Sequence, residues 1–417
     1  MTEHDIVVIG GGPAGMAAAA AAYDRGVTDV VILDREESLG GILKQCIHNG
    51  FGLHKLGREL TGPEYAAVYE KMVRERGIRI YPATTVTGIS PDRIVTAQNT
   101  EGLLTIRAKA VILAMGCRER SRGALNIPGT RPAGVYSAGT AQKLINCEGF
   151  MVGKRVVILG SGDIGLIMAR RLSLEGARVE AVCELLPYSG GLKRNIVQCL
   201  EDFGIPLYLS TTVTAIRGKD RVEGVTVAQV DASRRSVPGT ERDIPCDTLL
   251  LSVGLIPENE LTRNAGIPLD ELTHGALVDE RRQTEREGIF ACGNVLQVHD
   301  LVDYVSEEAE IAGIGAADYC LGQLLPDAGT AAVRPGDGVR YVLPQRVHRS
   351  AEKDVELFLR LREPMGRVRY TVSANGRVLT TAQRLRATPG EMEKLVLKAG
   401  ELARAGEEIV VSAEEVV

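Results

Sequence analysis

Two glycine-rich segments of the chain have the residue types and spacing that bind nucleotides. The first spans residues 10–15 and reads Gly-Gly-Gly-Pro-Ala-Gly, and the second spans residues 160–165 and reads Gly-Ser-Gly-Asp-Ile-Gly. An acidic residue follows the last glycine of each by 19 positions, Asp34 in the first copy (34 − 15) and Glu184 in the second (184 − 165). Because matching positions are separated by 150 residues (160 − 10, 184 − 34), the segments are copies of one unit.

The physical role of each glycine explains why this pattern points to a dinucleotide. The first glycine permits a tight turn, the second lets the main chain approach a diphosphate, and the third lets the following helix pack closely on the strand. The amino end of that helix offers N–H groups and a partial positive charge to the diphosphate. The acid can accept hydrogen bonds from ribose hydroxyls. The repeat therefore predicts two dinucleotide-binding units in one chain.

The segments around the two turns predict the elements that position them. Apolar segments at residues 6–9 and 30–33 predict strands on either side of an Ala-rich helix, and residues 156–159 and 179–183 repeat this order. Strands that alternate with helices in this way form parallel sheets covered by helices on both faces. The predicted fold class is therefore α/β, with two Rossmann-like, three-layer dinucleotide-binding domains.

The order of later strands predicts how these domains share the chain. A predicted strand at residues 110–113 runs into Ala114-Met115-Gly116, and a similar strand at 248–252 runs into a segment that contains Gly254. A further apolar segment ends at Gly293-Asn294. We therefore predict a discontinuous first domain, residues 1–117 and 255–325, with the second domain, 118–254, inserted in it.

The C-terminal part of the chain has a different pattern. Residues 334–338, Arg-Pro-Gly-Asp-Gly, predict a linker. Beyond it, residues 355–361 and 368–372 alternate between apolar and polar side chains, and Asn375-Gly376 predicts a hairpin turn before another strand. Residues 340–417 are therefore predicted to form a small β-rich domain.

Composition excludes several classes of function. The 417 residues carry a net charge of −5, which gives no broad attraction to nucleic acid or to an anionic membrane. The eight cysteines include no CxxC pair, which indicates reduced thiols and no metal site. The apolar run of residues 17–22 ends at Asp24-Arg25, too early for a membrane span. We expect a cytoplasmic protein, and the sequence leaves open whether it forms a homo-oligomer.

Residues 5–325 resemble the flavoproteins that have two dinucleotide-binding domains, the pyridine nucleotide-disulfide oxidoreductase superfamily. The resemblance rests on the two glycine turns, on Ala114-Met115-Gly116 and on the Ile-Phe-Ala-Cys-Gly segment that ends at Gly293. It implies that the first unit binds FAD and the second binds NAD(P)H. The implied FAD residues are Gly10, Gly12, Pro13, Ala14, Gly15, Asp34, Arg35, Gly41, Ile42, Val86, Ala114, Gly116, Gly293, Asn294 and Val305. The implied NAD residues are Gly160, Gly162, Asp163, Ile164, Gly165, Glu184 and Gly254.

Two positions refine what the resemblance implies. The family motif usually ends Gly-Asp, whereas this chain has Gly293-Asn294, and an amide oxygen can still accept a hydrogen bond from the ribityl chain of FAD. A helix from about residue 305 to 316 would direct its amino end at the flavin. In the second unit, Glu184 favours NAD(H) because a carboxylate repels a 2′-phosphate. Lys193 and Arg194 lie further on and leave NADP open.

The cysteine pairs that disulfide reductases of this superfamily use are missing from the sequence. A lone thiol, Cys46, lies 12 residues after Asp34 (46 − 34), and a helix amino end together with Lys44 would favour its thiolate form. The alternative is a small residue of the protein core. His48 is a second catalytic candidate as a proton donor, and its alternative role is to bind main-chain groups of a polar loop.

Three classes of function follow. Residues 40–65 and 293–305 resemble the flavoprotein that accompanies glycerol-3-phosphate dehydrogenase in anaerobic bacteria. More distantly, they are similar to the NADH-linked subunits of dye-linked proline dehydrogenase, opine oxidase and hydrogen cyanide synthase. The first class is therefore a diaphorase-like FAD enzyme that exchanges hydride with NADH and serves a partner dehydrogenase. The second is a self-contained NADH oxidase or thiol-disulfide reductase that uses Cys46. The third is a flavin-binding protein that responds to nucleotides with negligible turnover.

Overall fold

The structure is a computed structural model that describes residues 1–323 and 329–416. It divides into two compact units, one formed by Met1–Cys117 and the chain from Pro257 onward, and the other formed by Arg118–Ile256. Positions 324, 325 and 417 of the predicted domains lie outside the described residues. Each unit contains one of the two glycine turns.

The first unit begins with the strand-turn-helix-strand order that the sequence predicts. A six-strand path in the order β5-β2-β1-β8-β7-β6 forms its sheet, in which β1 is parallel to both β2 and β8. A 3-10 helix spans Gly41–Gln45. The strands and helices are β1 (Thr2–Ile9), α1 (Pro13–Asp24), β2 (Val30–Leu33), β3 (Asn49–Phe51), β4 (Leu60–Thr61), α2 (Gly62–Glu75), β5 (Arg79–Tyr81), β6 (Thr85–Ile89), β7 (Ile94–Asn99) and β8 (Gly102–Leu113).

The second unit repeats the same order around its own glycine turn. Its parallel sheet has the strand order β10-β17-β11-β12-β13, and β14, β15 and β16 form a separate antiparallel sheet. The elements of this part of the chain, including two strands at its boundary, are β9 (Cys117–Glu119), α3 (Arg122–Leu125), β10 (Val135–Ser137), α4 (Ala138–Asn146), β11 (Arg155–Leu159), α5 (Asp163–Leu174), β12 (Arg178–Cys183), α6 (Lys193–Cys199), β13 (Leu207–Tyr208), β14 (Thr211–Gly218), β15 (Val222–Gln229), β16 (Arg242–Ile244), β17 (Thr248–Leu251) and β18 (Leu255–Pro257).

The chain then returns to the first unit and completes its helical layer. After α7 (Glu260–Asn264), strand β19 (Ile289–Ala291) pairs in parallel with β8, and a 3-10 helix at Gly293–Val295 leads to α8 (Val302–Cys320). Helix α8 lies against α1 so closely that a Cβ on Gly313 would overlap the carbonyl oxygen of Ala18. Arg25 at the end of α1 pairs with Asp318 near the end of α8 at 2.6 Å. The two helices are therefore parallel, and small residues allow their main chains to touch.

Residues 330–416 form a β-rich region that begins ten residues before the predicted bound of 340 and belongs to the first unit. It contains one sheet with the order β22-β20-β27-β24-β25 and another with the order β21-β23-β26, packed around a core that includes Leu357, Leu359 and Tyr370. Its elements are β20 (Thr330–Pro335), β21 (Val339–Leu343), β22 (Arg346–His348), β23 (Val355–Leu361), β24 (Val368–Ala374), β25 (Arg377–Arg384), β26 (Glu393–Leu397), α9 (Ala399–Leu402) and β27 (Glu408–Glu415).

Two local predictions for this region have different outcomes. The hairpin turn at Asn375-Gly376 is confirmed, since both residues have positive φ angles (51° and 74°) between β24 and β25. The linker at 334–338 is wrong, because Arg334 and Pro335 end β20 and pair in parallel with β27. A proline gives no donor to a ladder but can end a strand, as it does here.

Within the described parts of the chain, every helix is too short or too polar to cross a lipid bilayer.

Candidate cofactor-binding sites

The first glycine turn is shaped by contacts that no larger residue could make. Gly10 has a φ angle of 106°, its N–H donates to the Leu33 carbonyl at 2.9 Å, and a Cβ there would overlap the Ala114 carbonyl oxygen. A Cβ on Gly15 would overlap the Gly10 carbonyl oxygen. The first and third glycines are thus required by the protein itself, because the turn, the adjacent strand end and α1 meet main chain to main chain.

Gly12 differs from these two glycines in what surrounds it. Apart from its chain neighbours, no atom of residues 1–323 or 329–416 lies within 4 Å of the position that its Cβ would occupy. Gly12 also precedes α1, whose first turn has no acidic residue and no side-chain cap. A positively polarised helix end therefore faces open space at the middle glycine, where the fold itself does not require a glycine.

Asp34 closes the first turn from the end of β2. Its buried carboxylate accepts hydrogen bonds from the N–H of Gly11 at 2.5 Å and from the N–H of Glu36 at 2.7 Å. A carboxylate offers about four acceptor positions, so about two of them remain for ribose hydroxyls. The acid both fixes the turn and keeps acceptor capacity for a ligand.

The second turn reproduces this arrangement at the same offset of 150 residues. Gly160 has a φ angle of 101° and donates to the Cys183 carbonyl at 2.7 Å, and a Cβ on it would overlap the Ser252 carbonyl oxygen. Glu184 accepts from the Ser161 N–H and from its hydroxyl, at 2.9 and 2.7 Å. The nearest atom to a Cβ on Gly162 would be the Ser252 hydroxyl oxygen, at 3.9 Å, among the described residues.

The two turns therefore pass a test of fit to a dinucleotide. In both, the flanking glycines are enforced by the chain, the middle glycine faces open space, and an acid at the end of the next strand is held by main-chain N–H groups. A diphosphate needs close main-chain approach at the middle position and a helix amino end. Both requirements are met twice.

Asp163 connects the second turn to the segment that follows β12. Its carboxylate accepts from the Leu192 N–H at 2.8 Å and from the Asn195 side-chain amide at 2.6 Å. Lys193 and Arg194, which lie between these partners, are exposed at the start of α6. The two cations that could bind a 2′-phosphate are thus on a segment anchored directly to the second turn.

Gly293 and Asn294 lie where the first unit brings α1, β19 and α8 together. Gly293 has a φ angle of 71°, and a Cβ on it would lie 2.7 Å from the Ala14 Cβ and 3.4 Å from Val305. The Asn294 amide oxygen, expected to accept from FAD, already accepts from the His299 N–H at 3.0 Å, and its amide nitrogen lies 3.5 Å from the Cys117 sulfur. The same oxygen lies 3.2 Å from His299 Nδ1, which occupies its second lone pair when that nitrogen carries a proton. Because an amide oxygen has two lone pairs, one acceptor position remains in the tautomer that leaves Nδ1 without a proton.

A buried charged group behind Gly293 is absent from the sequence-based predictions. Glu308 (0% exposed) accepts from the Gly293 N–H at 3.1 Å and from the Gln297 side-chain amide at 2.9 Å. Its carboxylate also lies 3.4 Å from the Arg282 guanidinium and 3.3 Å from His299. Burial alone would raise the pKa of Glu308, but these neighbours hold the pKa below its usual value. The sequence signal that could have revealed this group is a charged residue, Glu308, on the apolar face of the helix predicted at 305–316.

The structure gives mixed support to the two catalytic candidates. The 3-10 helix Gly41–Gln45 ends immediately before Cys46, so its carboxyl end, which disfavours a thiolate, is next to the thiol. This 3-10 helix therefore does not supply the helix amino end expected to favour a thiolate, and Lys44 donates to both oxygens of Ser38. The main-chain carbonyl of Cys46 does accept the N–H of Gly62, the first residue of α2, at 2.8 Å. The His48 ring lies 5.0 Å from the Phe51 ring.

The remaining predicted cofactor residues occupy varied surroundings. Ile42 is 58% exposed beside the first turn, and a Cβ on its neighbour Gly41 would lie 3.1 Å from the Gly12 Cα. The Arg35 side chain is mostly exposed, whereas Val86 is half-buried against the sheet. Others lie on the turns or strand ends as follows: Pro13 and Ala14 at the start of α1, Ile164 and Gly165 in the first turn of α5, Ala114 and Gly116 after β8, and Gly254 after β17.

Comparisons with known proteins agree with this geometry. The family model for pyridine nucleotide-disulphide oxidoreductases matches residues 4–313. The glutamate synthase [NADPH] small chain of Halomonas elongata is 29% identical, over 76% of this chain and 68% of its own length. One of the subunits of the opine oxidase of Agrobacterium tumefaciens is 26% identical over 77% of this chain, which spans only 66% of that relative.

Solved structures show the same fold. The crystal structure of T. acidophilum thioredoxin reductase superimposes with a TM-score of 0.62 at 25% identity, and the match covers 76% of this chain and 99% of that one. The family match ends at residue 313, so the β-rich region from β20 onward lies beyond it. With the match spanning both glycine turns, the chain belongs to the pyridine nucleotide-disulphide oxidoreductase family of FAD- and NAD(P)-dependent oxidoreductases.

Proposed function

We propose that the first glycine turn binds FAD, that the second binds NAD(H), and that the protein transfers hydride between them on behalf of a partner dehydrogenase. The observation that carries the assignment is the pair of open middle glycines, Gly12 and Gly162, each beside an acid held by main-chain N–H groups. When bound, FAD supplies the chemistry that exchanges hydride with nicotinamide in either direction. The protein supplies position and charge.

The residues of the first unit have separate roles in this proposal. Asp34 uses its remaining acceptor positions for the adenosine ribose, and the amino end of α1 faces the diphosphate. Asn294 offers the second lone pair of its amide oxygen to the ribityl chain when His299 Nδ1 carries no proton. Because Asn294 is neutral, it supplies this hydrogen bond without the negative charge that an aspartate would bring beside the flavin.

The preference for NAD(H) depends on Glu184 in this proposal. Its buried carboxylate is fixed by Ser161 and Leu186 and therefore cannot turn away from a ribose. A 2′-phosphate at this position would meet a fixed negative charge, which costs free energy. The measurement is kcat/KM for NADH and NADPH. A preference for NADPH would show instead that Lys193 and Arg194 determine coenzyme choice.

Alanine at the two open glycines tests the assignment of each site. Gly12→Ala adds a methyl group where no other group of the described chain lies, so the cofactor-free protein should keep its stability. FAD affinity should fall at least about tenfold, about 1.4 kcal/mol, while binding of NADH to the second unit is unchanged. Gly162→Ala should give the opposite pattern. If either variant loses both cofactors equally, or neither, the assignment is wrong.

The role in electron transfer for a larger complex rests on the comparisons and on the thiols. Two similar proteins are named as a small chain and as one subunit of an oxidase. All eight cysteines lie in the described part of the chain, and none of them is in a disulfide there. The partner that we propose resembles glycerol-3-phosphate dehydrogenase, because residues 40–65 resemble the flavoprotein that accompanies that enzyme. Electrons would then pass from the partner's substrate to NAD⁺.

A coupled assay tests the partner. The protein and the dehydrogenase are mixed, and reduction of NAD⁺ is compared with the rate of each protein alone. Complex formation is measured by size-exclusion chromatography on the same mixture. No increase in rate and no complex would refute the partner. Slow anaerobic reduction of the bound flavin by NADH would instead favour a nucleotide-responsive binding protein.

A second candidate function uses Cys46 as a redox thiol. The observation that favours it is the hydrogen bond from the Gly62 N–H to the Cys46 carbonyl, which brings Cys46 to the amino end of α2. A helix amino end stabilises a thiolate. This function predicts that Cys46→Ser abolishes turnover with oxygen or a disulfide and changes the visible flavin spectrum. Unchanged values with every acceptor would remove Cys46 from the mechanism.

A further inference from the structure

We propose that Arg360, in the β-rich region beyond the family match, is a positioning residue for the FAD site. It would act through the loop 296–301, which joins the 3-10 helix Gly293–Val295 to α8. The inference rests on the proposed FAD site at Gly10–Gly15 and Asn294. It assigns to the C-terminal region a role in holding the cofactor loop of the same unit.

Every N–H of the Arg360 guanidinium has an acceptor. Nε donates to the Tyr341 hydroxyl at 3.1 Å, and Nη1 donates to the carbonyls of Pro389 and Gly390 at 3.1 and 2.5 Å. Nη2 donates to the Val298 carbonyl and to the Asp300 carboxylate, both at 3.1 Å. A guanidinium has five N–H groups in a rigid plane, so these five bonds fix its position. Three are internal to the C-terminal region, and two hold the loop.

Asp300 receives both of its side-chain partners from the C-terminal region. Oδ1 accepts from Arg360, and Oδ2 accepts from the Met392 N–H at 3.3 Å. The side chains of Arg360 and Asp300 are 12% and 9% exposed, so water screens the pair weakly. Removal of one partner would leave the other charge buried with too few hydrogen bonds. The C-terminal region and the loop are therefore held together at one defined point.

The contact between Arg360 and the loop 296–301 lies next to the cofactor motif Gly293-Asn294. Val298 and Asp300 are the neighbours of His299 on either side, and the His299 N–H donates to the Asn294 amide oxygen. Arg360 thus bridges the two residues that set the direction of this N–H. The loop ends at Leu301, which precedes α8, so the same bridge sets where the amino end of α8 begins.

The amino end of α8 is held separately on another side. Asp303, in its first turn, accepts from the N–H groups of Gly52 and Lys55 at 3.1 and 2.8 Å. Loss of Arg360 would therefore leave α8 attached and folded but would release the direction of His299 and Asn294. The expected defect is in cofactor position, with the fold retained.

The test compares FAD binding by Arg360→Gln, Asp300→Asn and Arg360→Lys in the full chain. Arg362→Gln is the matched control, because Arg362 lies two residues away, is exposed, and donates to Val339 within the C-terminal region. We expect the FAD dissociation constant to rise at least about tenfold in Arg360→Gln and in Asp300→Asn, with a shifted flavin midpoint potential. Arg360→Lys, which keeps the charge, should recover part of the affinity. Arg362→Gln should leave both values unchanged.

The outcomes separate this inference from the proposed function. A wild-type protein that does not bind FAD refutes the proposed site itself. A wild-type protein that binds FAD, with the same dissociation constant and potential in Asp300→Asn and Arg360→Lys, overturns only the role of Arg360. An effect of Arg362→Gln as large as that of Arg360→Gln also overturns it. If Arg360→Gln does not fold, Asp300→Asn and Arg360→Lys still decide between these outcomes.

Discussion

Replacement of Glu308 by glutamine should strongly destabilise the first unit. Glu308 is fully buried, and its partner Arg282 is only 1% exposed. Glutamine has the same shape and can still accept the Gly293 N–H, so the main change is the loss of one buried charge. The Arg282 guanidinium would then remain buried without its counter-ion, which typically costs about 3–5 kcal/mol. The expected loss of unfolding free energy is therefore about 3–5 kcal/mol.

The measurement is urea-induced unfolding of the cofactor-free protein, followed by circular dichroism because the chain has no tryptophan. Equal slopes of free energy against urea concentration are required before free energies are compared. Glu307→Gln is the matched control, since Glu307 is the preceding residue on α8 and pairs with Lys394 at 3.2 Å near the surface. Its expected cost is about 0–1 kcal/mol.

A double-mutant cycle separates the charge pair from general damage. Arg282→Met combined with Glu308→Gln removes both charges, so the double variant should be more stable than the sum of the single losses by about 2 kcal/mol. Arg282 has a φ angle of 68°, and methionine leaves that backbone cost unchanged. A loss below about 1 kcal/mol for Glu308→Gln, or strict additivity in the cycle, would refute a buried ion pair here.

Three further results are expected. Gly10→Ala should lose at least about 1–3 kcal/mol of unfolding free energy, because alanine is strained at a φ angle of 106°. The variant should also lose FAD binding. Unchanged urea unfolding curves would contradict this prediction. Gly313→Ala should cost about 1–3 kcal/mol because its methyl group would push α1 from α8, again measured in urea. The Glu280 hydrogen bond raises the pKa of His348 above 6.5. The ion pair of His348 with Glu280 therefore stabilises the fold below pH 6.5, and this contribution to the unfolding free energy disappears as the pH rises through the folded-state pKa. His348→Gln should remove this pH-dependent decrease in unfolding free energy, measured in urea.

Sequence alone was sufficient for the parts of the fold that depend on local pattern. The strand predicted at 30–33 and that at 355–361 have the observed bounds, because a charged residue stands directly before and after each segment. The repeated turn was predicted because only glycine fits where two main-chain segments are in direct contact, as at Gly10 and Gly160. These glycines recur at fixed offsets, so the sequence alone reveals the turn.

The features that sequence did not predict depend on contacts between distant parts of the chain. Glu308 and Arg282 pair only because α8 packs over the segment before β19. The partner of Asn294 is His299, which lies close in sequence, but the loop that presents it is held by Arg360 from 60 residues away. Arg334 and Pro335 have the composition of a linker, and only their pairing with β27 makes them a strand. No local sequence pattern predicts these long-range contacts.

The parallel packing of α1 on α8 has an electrostatic consequence. Parallel helix dipoles lie side by side with like ends adjacent, and each amino end carries about half a positive charge. The first turn of α1 has no acidic residue to neutralise its end, whereas α8 has Asp303. In the cofactor-free unit, the amino end of α1 therefore keeps a partial positive charge that no side chain of its first turn neutralises. A bound diphosphate would neutralise this charge, so the cofactor would stabilise the start of α1, at Ala14 beside Gly293, as well as take part in electron transfer.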